Sequence, residues 1–245
     1  MGPKVAAWVE DFGTRVLPPV GRLTAASVGI ELQQEGLRSL VPILPELRDM
    51  KEAAIEAGSE DDANALLSME ALVTVILKQL EMWVAFKEDR MGAAWDALID
   101  AQDALSAAIR AHPVASERFD APRIVPALGF LEHVLFPPQV FASPGIVVGA
   151  ATCSICGADA GACDHRPGHA YLGRFCSLMM GRPVRIDHVV LTDNPTDKHC
   201  RVPSISDESG TFDKLTLRIT PPDPDSGSED LTYVKVLSTS RAEAD

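Results

Sequence analysis

The run CSICGADAGACDHRPGHAYLGRFC, from Cys153 to Cys176, holds four of the chain's five cysteines and two of its six histidines. Thiolate sulfur and neutral imidazole nitrogen are donors that zinc accepts four at a time, at tetrahedral corners about 2.0–2.3 Å away. Cys153-Ser-Ile-Cys156-Gly157 has the spacing of a metal knuckle. Two intervening residues let both thiols turn to one ion, and a small residue after the second lets backbone amides face the sulfurs. Cys163 and His165 are separated by one residue, so an extended backbone points both the same way. Cys176 ends the segment YLGRFC, which has the look of an approach to a second knuckle.

Five candidates therefore compete for four positions. Nearness in sequence favours Cys153, Cys156, Cys163 and His165, and the rival set replaces Cys163 with Cys176. Four protein ligands leave no open coordination position, so the expected Zn2+ is structural, contributing on the order of 10 kcal/mol to local folding. His165 would donate its other ring nitrogen to a carboxylate or carbonyl, for which Asp159 and Asp164 are at hand. The plainer alternative is a set of small buried thiols, against which their clustering argues. A redox pair is disfavoured because no strand–helix pattern of the thioredoxin kind precedes the CxxC.

The elements that must carry this run fall into two compositional halves. Residues 1–140 are rich in Ala, Leu, Glu and Asp and read as a helical domain. Ser59 and Asp62 resemble a capping box ahead of a helix from about Ala63 to Lys87. Its apolar arc is too wide for a surface helix and implies a central place in a bundle. A second helix, from about Met91 to Ala111, puts Trp95, Leu98, Ile99, Leu105, Ala108 and Ile109 on one stripe, and its alanines allow close approach. A third runs from about Pro122 to Leu135. Upstream, Pro42 and Pro45 split a helical stretch and Gly58 stops it.

Residues 141–245 change character and read as the metal element plus a small antiparallel sheet, with a short acidic tail. RPVRIDHVVLTD, FDKLTLRIT and DLTYVKVLST are strand-like, and Leu215, Leu217 and Ile219 alternate with polar residues as on a half-buried strand. PPDPDSGSED, Pro221 to Asp230, reads as an exposed loop. The fold class expected is α+β: an N-terminal helical bundle, a zinc-stabilised element, and a small antiparallel sheet.

The net charge of −13 repels phosphate backbones on average, which disfavours nucleic acid as a partner. The longest apolar stretch, Ala71 to Leu77, is too short to span a bilayer, and Glu10 and Asp11 interrupt the start before a secretion signal can form. Clustered cysteines point to a reducing compartment, so a cytoplasmic location is expected.

The run CSICG…CDHRPGHAYLGRFC, followed by IDHVVLTDNPTDKHCRV, resembles a module of uncharacterised bacterial and phage-associated proteins with the pattern CxxCG…CxH…GxxYxGxxC. The resemblance spans about residues 141–202. It implies a zinc-stabilised module and brings no activity. A second resemblance is to the recombination-endonuclease branch of the His-Asn-His nucleases, echoed by Asp164-His165, Gly168, Gly173 and Cys176. It would imply a histidine general base on water with a divalent ion at the phosphate. The chain departs from that pattern after Cys176, where SLMMG supplies no second cysteine, and a zinc-bound His165 cannot also be a base.

Other chemistry-bearing residues have plainer readings. Cys200 in DKHCR has basic neighbours that would lower a thiol's pKa, yet adjacent strand residues point apart, so an ordinary thiol near a turn is expected. His188 reads as a strand-face histidine, His169 as a turn residue, and Asp96, Asp100 and Asp103 as a solvated helix face. No dinucleotide fingerprint, phosphate loop or nucleophile elbow occurs. The function expected is binding or scaffolding through another protein or self-association, in a bacterial or phage-borne assembly, with a metal-dependent nuclease as the alternative and no catalytic residue assigned.

Overall fold

In the computed structural model, residues 1–182, 184–207, 209–221 and 233–235 are described. The chain is α+β: eight α-helices precede ten short strands among those residues. Helix α1 spans Pro3–Asp11, and a π-helical turn over Phe12–Val16 leads to α2, Leu17–Gly21. Helix α3 is Ile30–Leu40 and α4 is Ile43–Glu56, separated just ahead of Pro42 as the prolines require. Gly58 then takes φ +65°, the left-handed stop that glycine adopts without strain.

Helix α5, Glu60–Lys87, is the axis of the bundle. Glu60, Asp61 and Asp62 in its first turn and Lys87 in its last complement the helix dipole. Its start differs from the capping-box expectation. The Ser59 hydroxyl donates to the Asp62 carboxylate at 3.1 Å instead of receiving a backbone N–H, and Asp62 accepts the Gly2 N–H. Leu66, Met69, Val73, Leu80 and Met82 are all fully buried, on more than one side of the helix. The wide apolar arc is thus accounted for by neighbours around it: α1, α3, α4 and helix α6, Met91–Ala111, all pack on α5. Ala94, Ala97, Ala101 and Ala108 of α6 are buried, and small side chains let the two backbones approach. Where they meet, the Ser68 hydroxyl is satisfied by donating to the Ala108 carbonyl at 2.8 Å. Helix α7, Val114–Phe119, and helix α8, Ile124–Leu135, complete the helical part. No described helix is long and apolar enough to cross a membrane.

The strands are short. Strand β1 is Phe141–Val148, β2 Ala151–Cys153, β3 Ala170–Tyr171, β4 Arg174–Phe175, β5 Leu178–Met180 and β6 Val184–Thr192. Strand β7 is Ser204–Asp207, β8 Gly210–Asp213, β9 Ile219–Thr220 and β10 Tyr233–Lys235. All pairings are antiparallel: β1 with β6, β2 with β5, β3 with β4, and one sheet in the order β10-β7-β8-β9.

The expected strand through Leu215, Leu217 and Ile219 is not continuous. Leu215 is buried in a turn, Leu217 has φ +57°, and Leu217 and Ile219 are exposed. The Asp213 carboxylate draws in the Leu215 and Thr216 N–H groups at 2.8 Å, and this side-chain-to-backbone turn wins over strand alternation. The acidic loop after Pro221 and the chain's acidic end lie outside the described residues.

The chain divides into two compact units, one of Met1–Leu131 with Gly149–Arg182 and one of Glu132–Val148 with Pro183–Asp245. The cysteine run therefore belongs with the helices, whereas composition had grouped it with the strands of 141–245. In the second unit Phe136, Phe141, Ala142, Val202 and Leu215 are buried, and Lys198 pairs with Glu132 at 2.6 Å.

Candidate metal centre

Strand β2 delivers Cys153, and the chain then turns tightly. The Gly157 N–H donates to the Cys153 carbonyl at 2.8 Å, and Gly157 holds φ +71°, a conformation that disfavours any side chain. The turn directs the Ile155 N–H at the Cys153 sulfur, 3.4 Å away. Strand β5 returns beside β2 in the register Cys153↔Leu178, which seats Cys176 next to Cys153. Their sulfurs are 3.7 Å apart, and both residues are buried. Two sulfurs on a tetrahedral ion at 2.3 Å stand about 3.8 Å apart.

The donor atoms of Cys153, Cys156, Cys163 and His165 all lie within 4.8 Å of one another. This is the set nearest in sequence. Cys176 stands beside Cys153, and the cluster contains Cys163 rather than replacing it. All five cysteines are free thiols. Nδ1 of His165 is buried without a hydrogen-bond partner, an arrangement that costs free energy unless something else satisfies it. Asp159, expected to orient this imidazole, instead accepts the Gly161 N–H at 2.8 Å. The ring is held edge-on to Tyr171 at 4.6 Å between centroids, and the Tyr171 hydroxyl accepts the Arg166 N–H at 3.0 Å. Three thiols and an orphaned buried nitrogen converging on one point fit a metal ion.

The electrostatics divide the sulfurs. Burial works to raise the Cys153 pKa, but the backbone N–H groups of Cys156 and Ile155 and the neighbouring thiols outweigh it, bringing the group down to about 6. Burial and then the Cys153 charge push the Cys176 thiol up. At Cys163 a backbone hydrogen bond with His165 works downward, while burial and Cys153 prevail and raise it. One negative charge is thus accommodated readily and further ones repel it, which is how a thiol cluster behaves before a cation neutralises it.

A hairpin fixes this element to the bundle. Strands β3 and β4 are joined by Leu172 and Gly173, at φ +45° and +73°, a two-residue turn of the type that right-twisted hairpins favour. The turn points its backbone donors at the start of α5: Gly173 N–H to Asn64 Oδ1 at 2.8 Å and Leu172 N–H to Glu60 Oε1 at 3.4 Å. A Cβ on Gly173 would lie 3.2 Å from Ile55 Cδ1, 3.3 Å from Lys51 Cγ and 3.4 Å from Ala63 Cβ. From α6, the Arg110 guanidinium lies over the Phe175 ring at 5.6 Å. Asn64, Glu60 and Arg110 have no local signal in the sequence, since each lies far along the chain from the cysteines it supports.

The remaining candidates take their plainer readings. Burial and the Asp197 carboxylate push the Cys200 thiol up, so its basic neighbours do not activate it. His188 is exposed, with Nδ1 3.2 Å from Asp187, and His169 lies in the turn before β3. Asp100 pairs with Lys78 at 3.3 Å. Set against protein-family models, curated proteins and solved structures, the chain matches none of them.

Proposed function

We propose that the cluster holds one structural Zn2+ through Cys153, Cys156, Cys163 and His165, and that the protein is a cytoplasmic binding or scaffold protein acting through protein–protein contacts. The donor chemistry supports zinc: three sulfurs and one imidazole suit a borderline-soft, tetrahedral ion better than oxygen-seeking calcium or magnesium. A closed set of four leaves no position for water, and an imidazole used as a ligand is lost as a base, which weighs against the nuclease reading.

The observation that carries the binding role is what the metal element displays. Directly after Cys176, strand β5 exposes Leu178, Met179 and Met180, at 48%, 59% and 57%. An ion that fixes Cys153 and its neighbours thereby fixes the strand paired with β2, so the ion sets the shape of an apolar, methionine-bearing strip. Unbranched thioether side chains adapt to varied partner surfaces.

Metal analysis combined with thiol counting tests this reading. Native protein is expected to carry one zinc per chain, with Cys153, Cys156 and Cys163 protected from thiol reagent until a chelator is added. Protein that binds no zinc when refolded with it, or that shows all five thiols equally reactive in its presence, overturns the reading. Plasmid cleavage with magnesium or manganese should be absent.

A further inference from the structure

The β1–β6 ribbon of the second unit has one blocked edge and one open edge. On the outer side of β1, Ala142 N–H donates to the Cys200 carbonyl at 2.9 Å, Val202 N–H to the Val140 carbonyl at 2.8 Å, and Phe141 bridges Arg201. Further along β1, Pro144 has no N–H to offer. On the outer side of β6 no strand pairs with it among the described residues. Arg185 through Leu191 are all exposed, with Val189, Val190 and Leu191 at 58%, 47% and 62%. An unpaired edge of β-branched residues without proline or glycine is a template for another strand.

The strand also sets limits on that pairing. Gly145 pairs with His188 and Ile146 with Ile186, so Asp187 is an extra residue that bulges from β6. Arg185 and Asp187 are tied to each other at 3.4 Å. Beyond the bulge, His188-Val189-Val190-Leu191-Thr192 is regular and carries no carboxylate, lysine or arginine, and Asp193 follows it.

The geometry points to self-association: β6 pairs antiparallel with β6 of a second copy of this chain, about a two-fold axis at Val190. This goes beyond the binding role by naming the partner and the strand. It rests on the reading of a protein that works through protein contacts and does not require the metal. A two-fold interface must be self-complementary, and this segment is. Pairing about Val190 sets His188 against Thr192 of the second copy and Val189 against its Leu191, polar against polar and apolar against apolar. The bulge at Asp187 and the charge of Asp193 bound the ladder at both ends and oppose a slip in register. In a chain of net charge −13, this is a stretch where two copies meet without opposing carboxylates. A two-stranded ribbon, marginal by itself, becomes a four-stranded sheet in the order β1-β6-β6-β1.

Sedimentation of zinc-loaded full-length protein over a range of concentrations tests the pairing. A reversible dimer is expected. V190K places two lysines at the axis and should weaken dimerisation by about tenfold or more. V147K, equally exposed on β1 but away from the open edge, should leave it unchanged, with circular dichroism confirming that both fold. V190C in a C200S background should form a disulfide-linked dimer under mild oxidation. A monomer at every concentration overturns the proposal and leaves the metal reading intact. A dimer that survives V190K, or in which V190C does not cross-link, places the contact elsewhere and also overturns it. Dimerisation of protein that binds no zinc would sink the metal reading alone.

Discussion

Replacing Gly173 by alanine should loosen the metal element from the bundle without removing a ligand. Gly173 holds φ +73°, and a residue with a Cβ loses about 1–2 kcal/mol there. Its new Cβ would meet three groups. The Ile55 and Lys51 side chains can shift, but Ala63, fully buried on α5, cannot. Crowding of that kind adds about 1 kcal/mol. If the turn retreats to relieve it, the 2.8 Å hydrogen bond to Asn64 is lost instead, at a similar cost. The total is about 2–3 kcal/mol, equivalent to a fall in Tm of roughly 5–10 °C for a unit of this size. Scanning calorimetry at fixed zinc measures it, with zinc content assayed alongside and expected to remain one per chain. Asn64→Ala alone should cost about 1 kcal/mol, and the double variant should cost less than the two separately because both act on one contact. A G173A protein melting within about a degree of wild type would refute the docking argument.

Chelation should lower the melting temperature and expose Cys153 and Cys163 to thiol reagent, and C153S should reproduce both effects, read by calorimetry and thiol titration. Glu70 is shielded and burial works to raise its pKa, but Lys51 at 2.6 Å and Arg48 at 2.8 Å prevail and hold it low. Because the folded value is depressed, its stabilisation is present above the ordinary carboxylate pKa and disappears as pH falls through the folded one. E70Q should therefore cost about 1–2 kcal/mol at neutral pH, in a deficit that closes in acid, as urea titrations at several pH values would show. Leu105→Ala, in the fully packed α5–α6 seam, should cost about 2–5 kcal/mol by the same titration at neutral pH.

Helices were the most legible part of the sequence, for a physical reason. Helix α6 ends at Ala111 and begins at Met91, as its stripe and the following proline indicate, because both signals are local. The donor set was legible too, since CxxCG and CxH constrain the backbone within a few residues. What stayed hidden depends on distant partners. The place of Cys176 beside Cys153 follows from the pairing of β2 with β5, and the attachment of the hairpin follows from Asn64 and Glu60, over a hundred residues earlier in the chain. The strand through Leu217 failed because alternation alone does not reveal that Asp213 will capture two backbone amides.

The interleaving of the two units bears on how the protein is made. A ribosome finishes the helices well before it releases residues 149–182, and in between it must emit Glu132–Val148, which belong to the other unit. The nascent bundle therefore waits, with Asn64 and Glu60 still bonded to water, until the cysteines emerge. A gene fragment cut near residue 140 would encode the helices without the element that docks on them.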